Sequence, residues 1–252
     1  MLLANPPAAT PAPTITEVLF AVPQKAPGDA NQDGTRHATG DEFVELCNTA
    51  DKPLDLKGWA LIDSDSWAFL TEKGKKPLDL AHFKADGKDL LFIFPACTLK
   101  PGDCAVVFNG YEQKPVGPTG TPDAAAARND KFANAYVFQM KVESAKVGFG
   151  NDGDWVALLS PEGKFVEVVS WGKPDHETPK DAGEVSQAPA DPKGSVQRES
   201  PGGKFVDHAT LADKTRLFSP GEFDAGKKQV KPDPKSAPAK PKDDPKPTPP
   251  PK

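Results

Sequence analysis

Histidine, cysteine, methionine and tyrosine are scarce in this 252-residue chain, with four, three, two and two copies respectively. The four histidines, His37, His82, His176 and His208, show no ligand spacing between them. No H-E-x-x-H, G-x-S-x-G or glycine-rich phosphate loop occurs, which removes the common metalloprotease, nucleophile-elbow and nucleotide-cradle signatures. The cysteines, Cys47, Cys97 and Cys104, include no C-x-x-C, and their odd count forbids complete intrachain pairing. "CTLKPGDC" allows a Cys97–Cys104 bridge if the chain folds back there; the alternative is three small buried apolar side chains. No apolar run approaches a membrane span. The opening "MLLANPPAATPAP" has no Lys or Arg and its apolar run stops at Ala4, so it does not read as an export signal. The expectation is a cytosolic chain, or one whose signal lies upstream.

Proline (29) and glycine (21) are abundant instead. Proline fixes φ and removes a donor while glycine supplies turn conformations, a mixture suited to short strands joined by many turns. The net charge of −5 is uneven: from Ala225 onward eight Lys face three Asp, and setting that +5 aside leaves −10 for residues 1–224. So acidic a body repels phosphate backbones, which argues against nucleic acid as its partner.

Residues 1–13 read as a disordered Pro/Ala segment, 14–224 as one folded domain, and 225–252 as a disordered Lys/Pro-rich tail. The tail's lysines are interrupted by Asp and Pro, which favours a spacer over a polybasic recognition segment. "TITEVLFAVP", "DEFVELCN", "WALID", "DLLFIFP" and "TLKPGDCAVVFNG" are strand-like. "GNDGDWVALLSPEGKFVEVVSWG" is the clearest hairpin, with Val156 and Leu158 alternating against Trp155, Ala157 and Leu159. After the turn, Phe165, Val169 and Trp171 fall on one face and Val166 and Val168 on the other. Residues 111–150 are an insertion, in which "DAAAARNDKFANA" predicts a short helix. Residues 173–192 read as a surface loop. The sum is an all-β sandwich.

One stretch carries candidate chemistry. In "GDANQDGTRHATGDEFVEL", Asp29, Asn31, Asp33 and Gly34 follow the D-x-N-x-D-G pattern of a calcium loop. Calcium takes six to eight oxygens, which Asp29, Asn31 and Asp33 would supply with the Thr35 carbonyl, Gly34 giving the bend. The helix–loop pattern expects a carboxylate at its twelfth position; here that is Gly40, with Asp41 and Glu42 just after it to be brought round. The alternative is a strand connector rich in turn formers, and His37 is expected to face water. Two acid arrangements read as structural. Asp63 and Asp65 would share a solvent face of a strand, and Asp207-His208 near Ser200 are sequence neighbours, which seldom form a triad.

The segments "ITEVLF", "DEFVELCN", "LDLKGWALID", "FIFPACTLKPGDCAVVF", "NDGDWVALLSPEGKFVEVVSWG", "GSVQR" and "FSPG", in that order, resemble the lamin-tail domain family across roughly residues 14–222. The 111–150 insertion matches poorly. The chain is similar in particular to bacterial members, where a D-x-N-x-D-G loop separates the first strand from "DEFVEL". The resemblance implies an immunoglobulin-like β-sandwich and a non-enzymatic interaction or scaffolding module at the cell envelope or exterior. Its partner would be a protein or cell-surface polymer, and calcium would fill the loop. It also implies an alternative, an accessory domain acting in trans with a nuclease or other hydrolase.

Overall fold

The computed structural model describes residues 12–211 and 215–223. The expected disordered segments lie outside the described residues, apart from 12 and 13. Among the described residues there are fourteen strands: β1 (Thr14–Leu19), β2 (Phe43–Cys47), β3 (Leu54–Asp55), β4 (Ala60–Asp63), β5 (Leu91–Ile93), β6 (Thr98–Leu99) and β7 (Cys104–Phe108), then β8 (Arg128–Asn129), β9 (Ala135–Gln139), β10 (Gly153–Leu159), β11 (Phe165–Gly172), β12 (Glu184–Gln187), β13 (Val196–Arg198) and β14 (Phe205–Asp207). One sheet runs β14-β13-β1-β2-β7-β9-β8, the other β12-β11-β10-β4-β5, and β3-β6 form a small ribbon. The β7–β9 and β11–β12 pairs are parallel, the rest antiparallel. This is an all-β, immunoglobulin-like sandwich.

Between the sheets lie Ile15, Val18, Val44, Leu46, Val107 and Phe138 from one side and Leu61, Phe92, Val156, Leu158, Val169 and Trp171 from the other. Both outer faces are covered as well. Phe43, Val106, Phe108 and Val137 on the back of the seven-stranded sheet pack with Phe218 and Phe223. Ile62, Trp155, Ala157 and Val168 on the back of the other lie under Trp67, Leu70, Leu78, Leu80 and Phe83. Strands roofed on both sides read as continuous apolar runs, which is why β7 ("CAVVF") and most of β10 are buried at every position.

Three expectations are corrected. The helix placed in "DAAAARNDKFANA" is replaced by the two-residue strand β8 and a single 3-10 turn at Asp130–Phe132. Asn129 dominates that stretch: its side chain accepts from Lys131 N and donates to Val116 O and Pro118 O, and four alanines are too few to nucleate a helix against it. The α-helix of the described residues is α1, Ser64–Leu70, where Asp63 ends β4 and caps the helix by accepting from Ser66 N at 2.9 Å. Residues 173–192, expected as loop, contribute β12, a parallel edge strand on β11. In the β10–β11 hairpin a bulge sets Leu158 against Glu167 but Leu159 against Phe165. It turns Phe165 to the outer face with Trp155 and Val168, and Val166 toward the intersheet core.

The cysteines also differ from expectation. Cys47 and Cys104 face each other in the β2–β7 register and form a disulfide, while Cys97 is a buried free thiol. Cys97 packs into the intersheet core and Cys104 onto the opposite face of the sheet, so the proposed Cys97–Cys104 bridge does not form.

Candidate functional site

The acidic loop joins β1 to β2 and folds as consecutive side-chain-to-backbone turns. Asp29 Oδ2 accepts from Gly34 N at 2.9 Å, Asn31 Oδ1 from Asp33 N at 2.9 Å, and Asp33 Oδ1 from Thr35 N at 2.9 Å. Gly34 takes φ +93°, the bend expected of it. Asp41 closes the loop from its far end: Oδ1 accepts from Asn31 N at 3.0 Å and Oδ2 from His37 N at 2.6 Å. Burial pushes the Asp41 carboxyl up to about 6, against the lowering effect of these two N–H donors. Glu42 does not join it. Its carboxylate accepts from Phe149 N at 3.1 Å and faces Asn109, and burial holds its pKa well above the ordinary value. His37 is half-buried, not free in water; its Nδ1 accepts from Thr39 N and Gly40 N, and its ring meets Tyr111 edge-on.

The insertion supplies a residue that the sequence did not suggest. Gln113 accepts from Asn31 Nδ2 at 2.9 Å and donates from Nε2 to the Thr35 carbonyl, with Asp33 Oδ1 3.5 Å away. Val116 N adds a bond to Asn31 O at 3.1 Å. Gly40 is what lets this side close: a Cβ there would lie 2.6 Å from Tyr111 O and 2.8 Å from Gln113 Oε1. The position where a helix–loop site carries its closing carboxylate is therefore filled by the Gln113 carboxamide. The only signal in the sequence was the glycine itself.

The donor set suits a hard cation, being oxygen throughout. Asp29 Oδ1 is the one buried side-chain oxygen or nitrogen among the described residues without a hydrogen-bond partner. The carboxylates of Asp29, Asp33 and Asp41 do not converge as a tight trio, however. Among the described residues the acid, imidazole and sulfur atoms gathered in threes within 4.8 Å of one another are those of Glu45, Cys47 and Cys104.

The other acid arrangements are engaged structurally. Asp63 and Asp65 do not share a strand face, because the chain turns helical between them: Asp63 is buried as the α1 cap and Asp65 is exposed, with His176 Nε2 3.4 Å away. Asp154 accepts from Gly150 N at 3.0 Å and Trp155 N at 2.7 Å. Burial first, then mutual repulsion, raises the pKa of Asp63 beside Asp154; burial likewise raises that of Asp154. Asp207 caps Ala209 N. His208 Nε2 meets Ser219 Oγ, not Ser200, at 2.9 Å, while its Nδ1 faces Arg216 O. Glu17 contacts Ser219 and not the imidazole, and Ser219 and His208 are both buried, so the group lacks the order and the access of a catalytic triad.

No helix among the described residues is long and apolar enough to cross a membrane. The family model described as Lamin Tail Domain matches residues 6–173. No curated protein matches the chain. The crystal structure of a DUF4876 family protein from Bacteroides thetaiotaomicron VPI-5482 is similar over 82% of this chain and 67% of its own, at 11% identity and a TM-score of 0.38. Strands β12 to β14 complete both sheets beyond the last residue matched by the family.

Proposed function

This chain belongs to the lamin tail domain family, and from that premise we propose a non-catalytic interaction and scaffolding module of the cell envelope or exterior, its acidic loop set by calcium. Asp29, Asn31, Asp33 and the Thr35 carbonyl would hold the ion, Asp41 would close the loop from the second strand, and Gln113 would stand in for the missing twelfth ligand. Glu42 is left out, since its carboxylate serves Phe149 and Asn109.

The observation that carries the calcium reading is the unpartnered, buried Asp29 Oδ1, in a loop where Asp29 Oδ2, Asn31 Oδ1, Asp33 Oδ1 and both Asp41 oxygens accept from backbone N–H groups. A buried carboxylate oxygen without a donor is costly, and a cation would satisfy it. The Cys47–Cys104 disulfide supports an oxidising compartment. The partner in this reading is a protein or a cell-surface polymer, and the acidic body disfavours nucleic acid.

Calorimetric titration with calcium tests the loop. One saturable site per chain, and a melting temperature that climbs with the logarithm of calcium concentration, are expected. Absence of heat together with an unchanged melting temperature in chelator would leave the loop as a plain connector. Turnover of any phosphoester or glycoside by the purified chain, with or without divalent metal, would overturn the non-catalytic reading.

A further inference from the structure

The back of the seven-stranded sheet holds a second group of donor atoms, unrelated to the acidic loop. One carboxylate oxygen of Glu45 and the sulfurs of Cys47 and Cys104 lie within 4.8 Å of one another, and all three residues are buried. Cys47 Sγ is 3.4 Å from Glu45 Oε1, and Thr16 Oγ1 stands 3.3 Å from the same sulfur and 2.6 Å from the same oxygen. A bulge in β1 after Ile15 brings Thr16 to this face, and the register sets Glu17 directly opposite Glu45. The segment 218–223 roofs the group, with Gly221 N donating to Glu45 Oε2 at 2.8 Å.

The electrostatics point the same way. Among the described residues Glu45 pairs with no Lys or Arg, whereas Glu167 pairs with Arg198. Two acids, Glu17 and Glu222, bear on Glu45, and Arg216 lies 2.7 Å from Glu222. A positive charge beside Glu45 would offset the repulsion among these acids.

We propose that, once the Cys47–Cys104 bond is reduced, both sulfurs and the Glu45 carboxylate bind one thiophilic divalent cation of the zinc type. Thr16 Oγ1 stands next to the fourth position. Two thiolates and a carboxylate are ligands that such ions take in tetrahedral sites. A dithiol reductant gives two electrons and two protons to the disulfide and leaves as its own disulfide. Each thiol then releases its proton to solvent as its sulfur binds the ion, and the Glu45 carboxylate binds beside them. The cation would thus staple β2 to β7 in reducing surroundings, as the disulfide does in oxidising ones.

Cadmium tests this in the full chain, because cadmium–thiolate bonds absorb in the near ultraviolet. The protein is reduced with a water-soluble phosphine, which becomes phosphine oxide and does not compete for the metal. Reduced protein that keeps its circular dichroism should develop the band and saturate at one cadmium per chain; oxidised protein should not. Cys47→Ser and Cys104→Ser should each abolish stoichiometric binding. Cys97→Ser should leave it intact, and Glu45→Gln should keep the band while weakening affinity on the order of tenfold or more. Asp33→Ala, in the acidic loop, should change nothing here. Reduced protein that unfolds, or that stays folded without the band, overturns the proposal; so does a band that depends on Cys97.

Discussion

Arg198 Nη2 donates to Glu167 Oε1 at 2.6 Å, joining strand β13 of one sheet to β11 of the other through side chains only 1% and 6% exposed. The pair also serves the backbone of Ile15 at the start of the β1 bulge. Glu167 Oε2 accepts from Ile15 N at 2.9 Å, and Arg198 Nε donates to Ile15 O at 3.0 Å. The guanidinium stacks over Phe205 with Cζ 4.6 Å from the ring centre. Removing one partner strands a buried charge and unpairs a backbone group. Arg198→Ala is therefore expected to cost about 3–5 kcal/mol in urea unfolding, while a Glu167→Leu/Arg198→Leu double variant costs less than the two single changes added together. A loss below about 1 kcal/mol for Arg198→Ala would mean that the two sheets are held without this clamp.

The disulfide closes a loop with a sequence separation of 57 residues, so the oxidised state gains about 4 kcal/mol from the restricted unfolded chain. Reduction in chelator should lower the melting temperature by roughly 10 °C. Thiol titration in denaturant should find one reactive thiol before reduction and three after it. Two alternative results are informative: three thiols at the start would deny the bridge, and one thiol that maps to Cys47 or Cys104 would move it.

How far the sequence reveals this fold depends on where the determining contact lies. The β10–β11 strands and the turn between them are legible because pairing and pattern are local. Phe165 is not, since the bulge that reverses it belongs to the pairing of two strands and leaves no mark in the spacing of one. The α1 helix is written in Asp63 and Ser66, yet "WALID" draws the eye to the strand that Asp63 ends. The loop's Asp29, Asn31 and Asp33 are recognisable by spacing alone. Gln113 is not, because its contact with Asp33 spans 80 residues. Glu42 follows from strand geometry only after the strand is placed, when successive side chains turn to opposite sides. Cys47 and Cys104 needed the register of β2 on β7.

Stability should decline as the solution becomes alkaline. Burial raises the carboxyl pKa values of Asp63, Asp154 and Glu45, the last to about 8, over ordinary values of 3.8, 3.8 and 4.5. A carboxyl raised on folding contributes stability that is complete below its unfolded pKa and is lost as pH climbs through the folded value. The lowered acids oppose this weakly: Asp79, Asp86 and Glu162 lie at the surface, and Asp103 is half-buried beside Arg128. In chelator the melting temperature should peak near pH 4 to 5 and fall by roughly 5 °C or more by pH 9. Glu45→Gln should flatten the upper half of that slope. A profile that rises steadily to pH 8 would contradict the buried placement of these groups.

Gly40 separates two accounts of the acidic loop. If the loop were an open helix–loop site lacking only its twelfth ligand, Gly40→Glu would complete the cage and tighten calcium. Here the space is occupied: a Cβ at residue 40 would come within 2.6 Å of Tyr111 O, a backbone atom that cannot rotate away, and 2.8 Å of Gln113 Oε1. Gly40→Glu, and already Gly40→Ala, should therefore destabilise by about 1–3 kcal/mol and weaken calcium binding, because each pushes Gln113 off Asn31 and Thr35. Gln113→Ala should lower calcium affinity without the steric cost, losing about 1–2 kcal/mol of loop stability through its missing bonds. Tighter calcium binding by Gly40→Glu in calorimetry would show that residue 40 faces the ion and not the insertion. The Gln113 carboxamide would then be a bystander to a site that Asp29, Asn31 and Asp33 build alone.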